Sequence, residues 1–413
     1  MKQSTRYPWI VVGLLWVVAL LNYMDRQMLS TMKPSMMVDI DALQRATNFG
    51  RLMSVFLWIY GLMSPFAGLI ADKISRKWLI VSSLFVWSLV TFSMGFAKTY
   101  DQLYWLRALM GVSEALYIPA GLALISDFHD PKTRSLAIGI HMTGLYTGQA
   151  LGGFGATIAE SFSWQTAFLS FGIIGIIYSG ILILFLHDKK NQVSQFVPEQ
   201  EKDSFLPGLL KGLGLLFTNM AFWVILFYFA IPSLPGWAVK NWLPTLFAEN
   251  LNIDMSRAGP LSTITIAASS FLGVLFGGVL SDRWVQKNIK GRVYTSAIGL
   301  SLTIPALVFL GWGHTLFAIL GAAFCFGFGF GMFDANNMPI LCQFVGPQKR
   351  ATAYGMMNMM GVFAGAFVTD WLGKSSDGGK LGNDIALLAV IVAIAVIIQL
   401  SFLRPASNDF SKD

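Results

Sequence analysis

The chain has 413 residues, of which 55% are hydrophobic and only 12% charged, with 33 Phe and 13 Trp. Soluble proteins carry about a quarter charged residues, so the composition excludes a water-soluble domain of any size and specifies a polytopic membrane protein. A net charge of +7 would suggest nucleic acid in a soluble protein, but these basic residues fall in short loops between apolar runs and are read as topology signals, with no nucleic-acid partner expected.

Apolar runs of roughly 18 to 25 residues, long enough to cross a bilayer, predict spans near 8–32, 49–71, 78–97, 101–126, 134–158, 164–187, 218–241, 257–281, 293–312, 315–339, 350–372 and 383–403. The first contains Asp25 and Arg26, exceeds the apolar core of a signal peptide and has no small-residue cleavage site, so it is expected to stay as a span. The result is an all-α chain of twelve transmembrane helices in two sets of six. The longest polar interval, Asp188 to Ser204, has linker composition. It divides an N-terminal bundle (1–187) and a C-terminal bundle (218–413) through a linker (188–217). Lys and Arg split about 19 to 8 in favour of the side carrying the termini, which predicts that both termini are cytoplasmic. Few charges and no N-x-S/T site fit a bacterial inner membrane. Cys325 and Cys342 are too few for a disulfide framework and are read as free thiols.

The halves repeat each other. Gly68, Asp72 and Arg76 in GLIADKISRK recur about 210 residues later as Gly278, Asp282 and Lys287 in GGVLSDRWVQK. PKTRSLAIG, with Arg134, recurs as PQKRATAYG, with Arg350, at an offset of 216. Gly144 and Gly148 on the fifth span answer to Gly361 and Gly365 on the eleventh, spaced for close helix approach as static packing, a hinge, or both. Parallel six-helix repeats are a transporter architecture, with the substrate site near midplane between them and alternating access by rocking.

Charge inside the apolar spans gathers in the first half, with Asp25 and Arg26 on the first span and Arg107 and Glu114 on the fourth. Such residues cost at least about 2.5–3.5 kcal/mol to insert and mark ion, proton or substrate paths. A rise of 1.5 Å per residue puts Asp25 roughly 10 Å and Arg107 roughly 9 Å below the far surface, at pairing depth, and Glu114 roughly 20 Å down on the Arg107 face. Low dielectric favours a neutral carboxyl and a neighbouring arginine an ionised one, so a mobile arginine switches Asp25 or Glu114 between holding and releasing a proton. Arg26, always charged and forked, suits a substrate carboxylate.

The duplication and the GLIADKISRK loop resemble the major facilitator superfamily across essentially the whole chain. That resemblance implies a two-bundle fold in which Asp72, Arg76 and Lys77, with Arg134 and the second-half counterparts Asp282 and Arg350, gate the cytoplasmic face. NYMDR on the first span, WIYG on the second and LRALMGVSEALYIPAG on the fourth resemble the anion:cation symporter branch, carriers of hexuronates and aldonates that include sialin-like members. The branch implies Asp25 and Glu114 as proton-coupling carboxylates with Arg107 beside them, and Arg26 as carboxylate binder. It also implies Tyr23 and Tyr60 as cavity hydrogen-bonding groups and Asn358, in YGMMNMMG, as a sugar-hydroxyl contact.

The chain departs from that pattern at Leu145 on the fifth span, with His141 and Gln149 nearby, and at FDANNMP on the tenth. Asp334 and Asn336 there are read as substrate or coupling contacts, or Asp334 as a structural partner of the asparagines. His141 is read as a packing histidine rather than a second proton site. Lys240 and Trp242 either line the outer vestibule or the lysine snorkels, and Asp370 is expected at the interface.

The expected activity is proton-coupled import of a monocarboxylated sugar or related organic anion (hexuronate, aldonate or sialic acid class) by alternating access, with sodium as the alternative coupling ion. Its rival is a spinster-like lysolipid or sphingolipid carrier. No nucleophile elbow, phosphate loop or metal-ligand spacing is present, so no enzyme, metal or cofactor is expected. Duplication with buried switchable charge suits alternating access better than a channel. The partners expected are a small organic anion and membrane lipid, around a monomer.

Overall fold

A computed structural model describes residues 6–129, 131–188, 220–345 and 350–405. Its helices run in chain order α1 (Tyr7–Thr31), short α2 (Lys33–Asp39), α3 (Ala46–Lys73), α4 (Arg76–Met94), α5 (Tyr100–Ala115), α6 (Tyr117–Phe128), α7 (Pro131–Gly152), short α8 (Gly155–Ser161) and α9 (Trp164–Phe185) in the first half. The second half holds α10 (Met220–Leu251), α11 (Met255–Val285), α12 (Gly291–Trp312), α13 (Leu316–Asp334), α14 (Asn337–Cys342), α15 (Arg350–Asp377) and α16 (Leu381–Phe402). The fourth span is α5 and α6, interrupted at Leu116, and the tenth is α13 and α14, interrupted at Ala335 and Asn336. The twelve-helix class read from the sequence is the class the chain adopts. Ten of its spans are long and apolar enough to cross a membrane on those criteria alone. The fifth and eleventh, α7 and α15, carry more Gly, Thr and Met and sit where helices of both halves meet.

Packing repeats with the sequence. First span lies on fifth (α1 on α7, α10 on α15), second on fourth (α3 on α5, α11 on α13) and third on sixth (α4 on α9, α12 on α16). The predicted glycines serve the first of these contacts. Gly144 and Gly148 lie against the backbone of Trp16 and Leu20 on α1, while Gly361 and Gly365 lie against the Phe229 and Trp237 rings on α10. They allow close approach inside each half. Between halves, α3 meets α15 and α7 meets α11.

At the end of the bundle remote from the termini, the halves are sealed. Asp377, the last residue of α15, accepts hydrogen bonds from the N–H groups of Ala46 (2.6 Å) and Thr47 (2.9 Å) and from the Thr47 hydroxyl (2.6 Å). A carboxylate of the second half thereby caps the N-terminus of α3, satisfying orphan donors and complementing the helix dipole. Arg51 and Lys374 flank Asp370 at 3.5 and 3.1 Å, so that aspartate is part of the same charged rim. On the opposite side of the seal, a Cβ on Gly259 would meet the Gly153 carbonyl at 2.6 Å, and Thr263 and Thr157 donate to the Ala150 and Ser256 carbonyls.

At the end carrying the termini, the described charges pair within their own halves. Arg76 bridges to Asp127 and donates to the Ala123 carbonyl, Lys77 donates to the Ile183 carbonyl, Asp282 pairs with Arg292 at 3.7 Å, and Arg134 donates to the His129 carbonyl. The side chains of Asp72 and Arg350 lie outside the described residues.

Burial alone would raise the Asp377 carboxyl, but the Thr47 hydroxyl and the two N–H donors outweigh it and hold the group below the ordinary carboxylate range. The cap therefore contributes fully above about pH 4 and is lost only as pH falls through the depressed value. In a Cys325→Ser/Cys342→Ser/Gln149→Cys background, Asp377→Ala is expected to speed maleimide labelling of the buried position 149 about fivefold, corresponding to about 1 kcal/mol of lost capping. Unchanged labelling would mean that the cap does not hold the seal.

Candidate functional site

The interior of the first half is organised by one ion pair. Arg26, five residues before the end of α1, donates from Nε to Glu114 Oε2 at 2.5 Å. Glu114 is fully buried and sits at the foot of α5, where the fourth span breaks. The Arg26 guanidinium lies 4.5 Å from the Tyr60 ring centroid, 5.0 Å from Phe56 and 5.1 Å from Tyr23. Weakly hydrated guanidinium on aromatic faces is a stable way to keep a cation in an apolar bundle. Nη2 of Arg26 and Oε1 of Glu114 are left without hydrogen-bond partners, so the pair retains binding capacity on both sides. Asn22 is close to Glu114, though its amide meets no partner at hydrogen-bond geometry.

Asp25, the neighbour of Arg26, points the other way. Its carboxylate accepts from the Thr91 hydroxyl on α4 at 3.2 Å. Arg107 also stacks on Phe56, at 4.7 Å, and donates to Met110 Sδ at 3.2 Å. Asp25 and Arg107 attract each other electrostatically but form no direct ion pair. Equal depth does not fix helix azimuth: Asp25 turns to Thr91, and Arg107 to Phe56 and Met110.

The second half contributes a polar group at the equivalent helix break. Asp334, the last residue of α13, accepts from Asn337 Nδ2 at 3.1 Å, and Asn337 Oδ1 accepts from Tyr228, which also bonds Ser296. The Asp334 side chain is exposed at the end of α13. Asn336 does not join it: fully buried, it donates to the Met332 carbonyl one turn back. The partner is Asn337. Asn358 on α15 donates to Ser64 on α3 at 3.1 Å, a contact between halves. His141 is fully buried beside Tyr117, at 6.0 Å between centroids. Lys240 sits inside the protein, its ammonium 5.1 Å over Trp237, in electrostatic reach of both Asp334 and Arg26. Trp242 is buried and donates to the Thr369 carbonyl. Leu145 is buried, and Gln149 faces Gln27 and Lys240 at the seal. Among the described residues, no group of His, Cys, Asp and Glu is placed to hold a metal ion, and neither Cys325 nor Cys342 is in a disulfide.

Residues 15–369 match the Major Facilitator Superfamily model. The chain belongs to that superfamily. It is therefore a transporter and not an enzyme. It is similar to the probable galactarate/D-glucarate transporter GarP of Escherichia coli K12, at 24% identity over 87% of this chain and 86% of the relative. It is also similar to the sphingosine-1-phosphate transporter SPNS2 of Xenopus tropicalis, at 23% identity over 97% of this chain and 82% of the relative. Among solved structures, a bacterial homologue of the human lysosomal transporter Spinster, inward-facing and unoccupied, superposes with a TM-score of 0.80 at 18% identity, covering 97% of this chain and 98% of that one.

Thr91 and Phe56 were not found from the sequence, because a hydroxyl and a phenyl ring in an apolar helix carry no signal of their own. Asn337 is distinguished from Asn336 only by its position in the helix break.

Arg26→Met leaves the Glu114 carboxyl without its partner and is expected to cost roughly 3–5 kcal/mol. Arg26→Met with Glu114→Gln should recover most of that loss in thermal denaturation of the detergent-solubilised protein. A double variant no more stable than the single one would show that the pair is not a coupled unit.

Proposed function

We propose that this transporter imports sugar acids of the hexuronate, aldonate or sialic acid class with protons, across a bacterial inner membrane and with both termini cytoplasmic. The observation that carries the proposal is Arg26, held by Glu114 through one nitrogen while Nη2 remains free. A monocarboxylate entering the cavity competes with Glu114 for the guanidinium. A proton on Glu114 removes its claim, so Arg26 turns to the substrate; loss of the substrate returns Arg26 to Glu114 and expels the proton. Asp25, buried on Thr91, is the second coupling carboxylate, and Arg107 biases it electrostatically. Tyr23 and Tyr60 beside Arg26, together with Asn358, Asn337 and Tyr228, supply hydrogen bonds for sugar hydroxyls. Asp72, Arg76, Lys77, Arg134, Asp282 and Arg350 gate the cytoplasmic end. The name of the Escherichia coli relative supports the sugar-acid class.

A second reading is favoured by one observation. Phe229, Phe330 and Phe333 form a ring cluster, with centroids 6.2 and 5.4 Å apart from Phe333, beside Tyr228 at 5.4 Å. Phe333 is buried in the core, and the partly buried Phe229 and Phe330 offer apolar surface for the chain of a lysolipid or sphingoid anion, in keeping with the name of the Xenopus relative.

Proteoliposomes with an inward proton gradient separate the two. Uptake of a labelled hexuronate or aldonate is expected, lost with a protonophore and reduced at least about a hundredfold by Arg26→Ala. Glu114→Gln should retain substrate exchange while losing proton-driven accumulation. Flux of a lysolipid with no uptake of any sugar acid would replace the first reading by the second.

A further inference from the structure

The charged pair of the first half has a counterpart in the second. Arg26 and Lys240 occupy the first span of each half at an offset of 214 residues, between the offsets of 210 and 216 that relate the repeated loops. Glu114 and Asp334 each stand where the fourth span of their half breaks, at the end of α5 and of α13. Their offset is 220; Glu114 is the second-last residue of α5 and Asp334 the last of α13. Each half thus carries a cation on its first helix and a carboxylate at its fourth-span break.

The two cations also converge. Gln27 Nε2 donates to the Lys240 carbonyl at 3.0 Å, so the residue after Arg26 touches the backbone that bears the Lys240 side chain. Lys240 feels both Arg26 and Asp334. It does not snorkel to lipid, because its ammonium lies over Trp237 inside the protein. Two cations brought together from opposite halves repel until an anion comes between them. The anions present belong one to each half: Glu114 holds Arg26, and Asp334 acts on Lys240 electrostatically.

We propose that Lys240 is the second cation of the anion site: one substrate carboxylate is held between Arg26 and Lys240, and Asp334 alternates with it on Lys240 as Glu114 does on Arg26. The proposal rests on the carboxylate-binding reading of the cavity and extends it to the second half. Its consequence is mechanical. An anion bound to a cation from each half draws the halves together, so binding energy is realised in one arrangement of the bundles and not the other, as a ligand-driven conformational change requires.

The test is equilibrium binding of galactonate and glucuronate to the purified full-length protein in detergent, with uncharged galactose as control. Lys240→Ala is expected to weaken both acids at least tenfold and Lys240→Arg to restore them to within about threefold. Asp334→Asn is expected to tighten both about threefold, because a competing anion is gone. That sign separates exchange from scaffolding, since a residue needed only to organise the site would weaken binding when changed. Lys240→Ala within twofold of the unmodified protein, or Asp334→Asn weakening the acids as Lys240→Ala does, overturns the inference while Arg26-dependent binding still stands. Failure of the unmodified protein to bind either acid, or binding indifferent to Arg26→Ala, overturns the carboxylate reading and this inference with it.

Discussion

A guanidinium and a carboxylate inside an apolar bundle set the terms for everything around them. Neither Arg26 nor Glu114 reaches bulk water by its own length, and an unpaired buried charge costs far more than a paired one. The surroundings follow from that constraint. Three aromatic faces shield the guanidinium, the fourth span breaks at Glu114, and Asn22 supplies a nearby amide. A buried ion pair adds little net stability over apolar packing, so its place at the centre of the first half points to use as a switch. A pair with one nitrogen and one oxygen left open is suited to exchange partners.

On the proposed function, the internal repeat lets a switch at the centre move the ends. First span on fifth, second on fourth and third on sixth make each half a tightly packed unit, with glycines admitting the closest helix contacts inside the unit. The halves meet mainly through two helix pairs, α3 with α15 and α7 with α11, with smaller contacts of α8 with α11 and of α1 with α10. Packed interiors resist gradual deformation, so a change in charge between the halves is expressed as a rigid displacement at those two seams. One seam ends in a polar cap, Asp377 on the N-terminus of α3, and the other in backbone-to-glycine contact at Gly153 and Gly259.

Much of this was legible in the sequence. Helix number, repeat offset and the presence of Arg26 and Glu114 inside the bundle follow from apolar runs and from ionisable residues within them. Side-chain azimuth was less accessible. Asp25 and Arg107 are read at one depth, yet Asp25 meets Thr91 and Arg107 meets Phe56, because rotation about each helix axis depends on neighbours that composition does not name. The same limit governed FDANNMP. All three polar residues are visible in the string, but a break between Asp334 and Asn337 turns Asn336 back onto the Met332 carbonyl and presents Asn337 to Asp334. The cap by Asp377 was invisible for another reason: its partners are backbone groups 330 residues away, and any helix N-terminus offers them.

The two halves are alike in packing and unlike in charge. The first carries two carboxylates and two arginines at bilayer depth, with one direct ion pair among them. The second carries one aspartate and one lysine, with asparagine and tyrosine in place of the rest. Arginine keeps its charge under all working conditions and binds in a planar fork, whereas lysine is a compact, rotatable donor. A half rich in carboxylates that compete for fixed guanidinium groups suits the exchange of protons. A half with a single flexible cation, amides and phenols suits the reading of a solute by hydrogen bonds. On the proposed function, duplication supplied the rocking frame, and divergence of the inner charges divided energy coupling from recognition. A solute is then selected by the second half but drives transport only when its acid group also reaches Arg26 in the first.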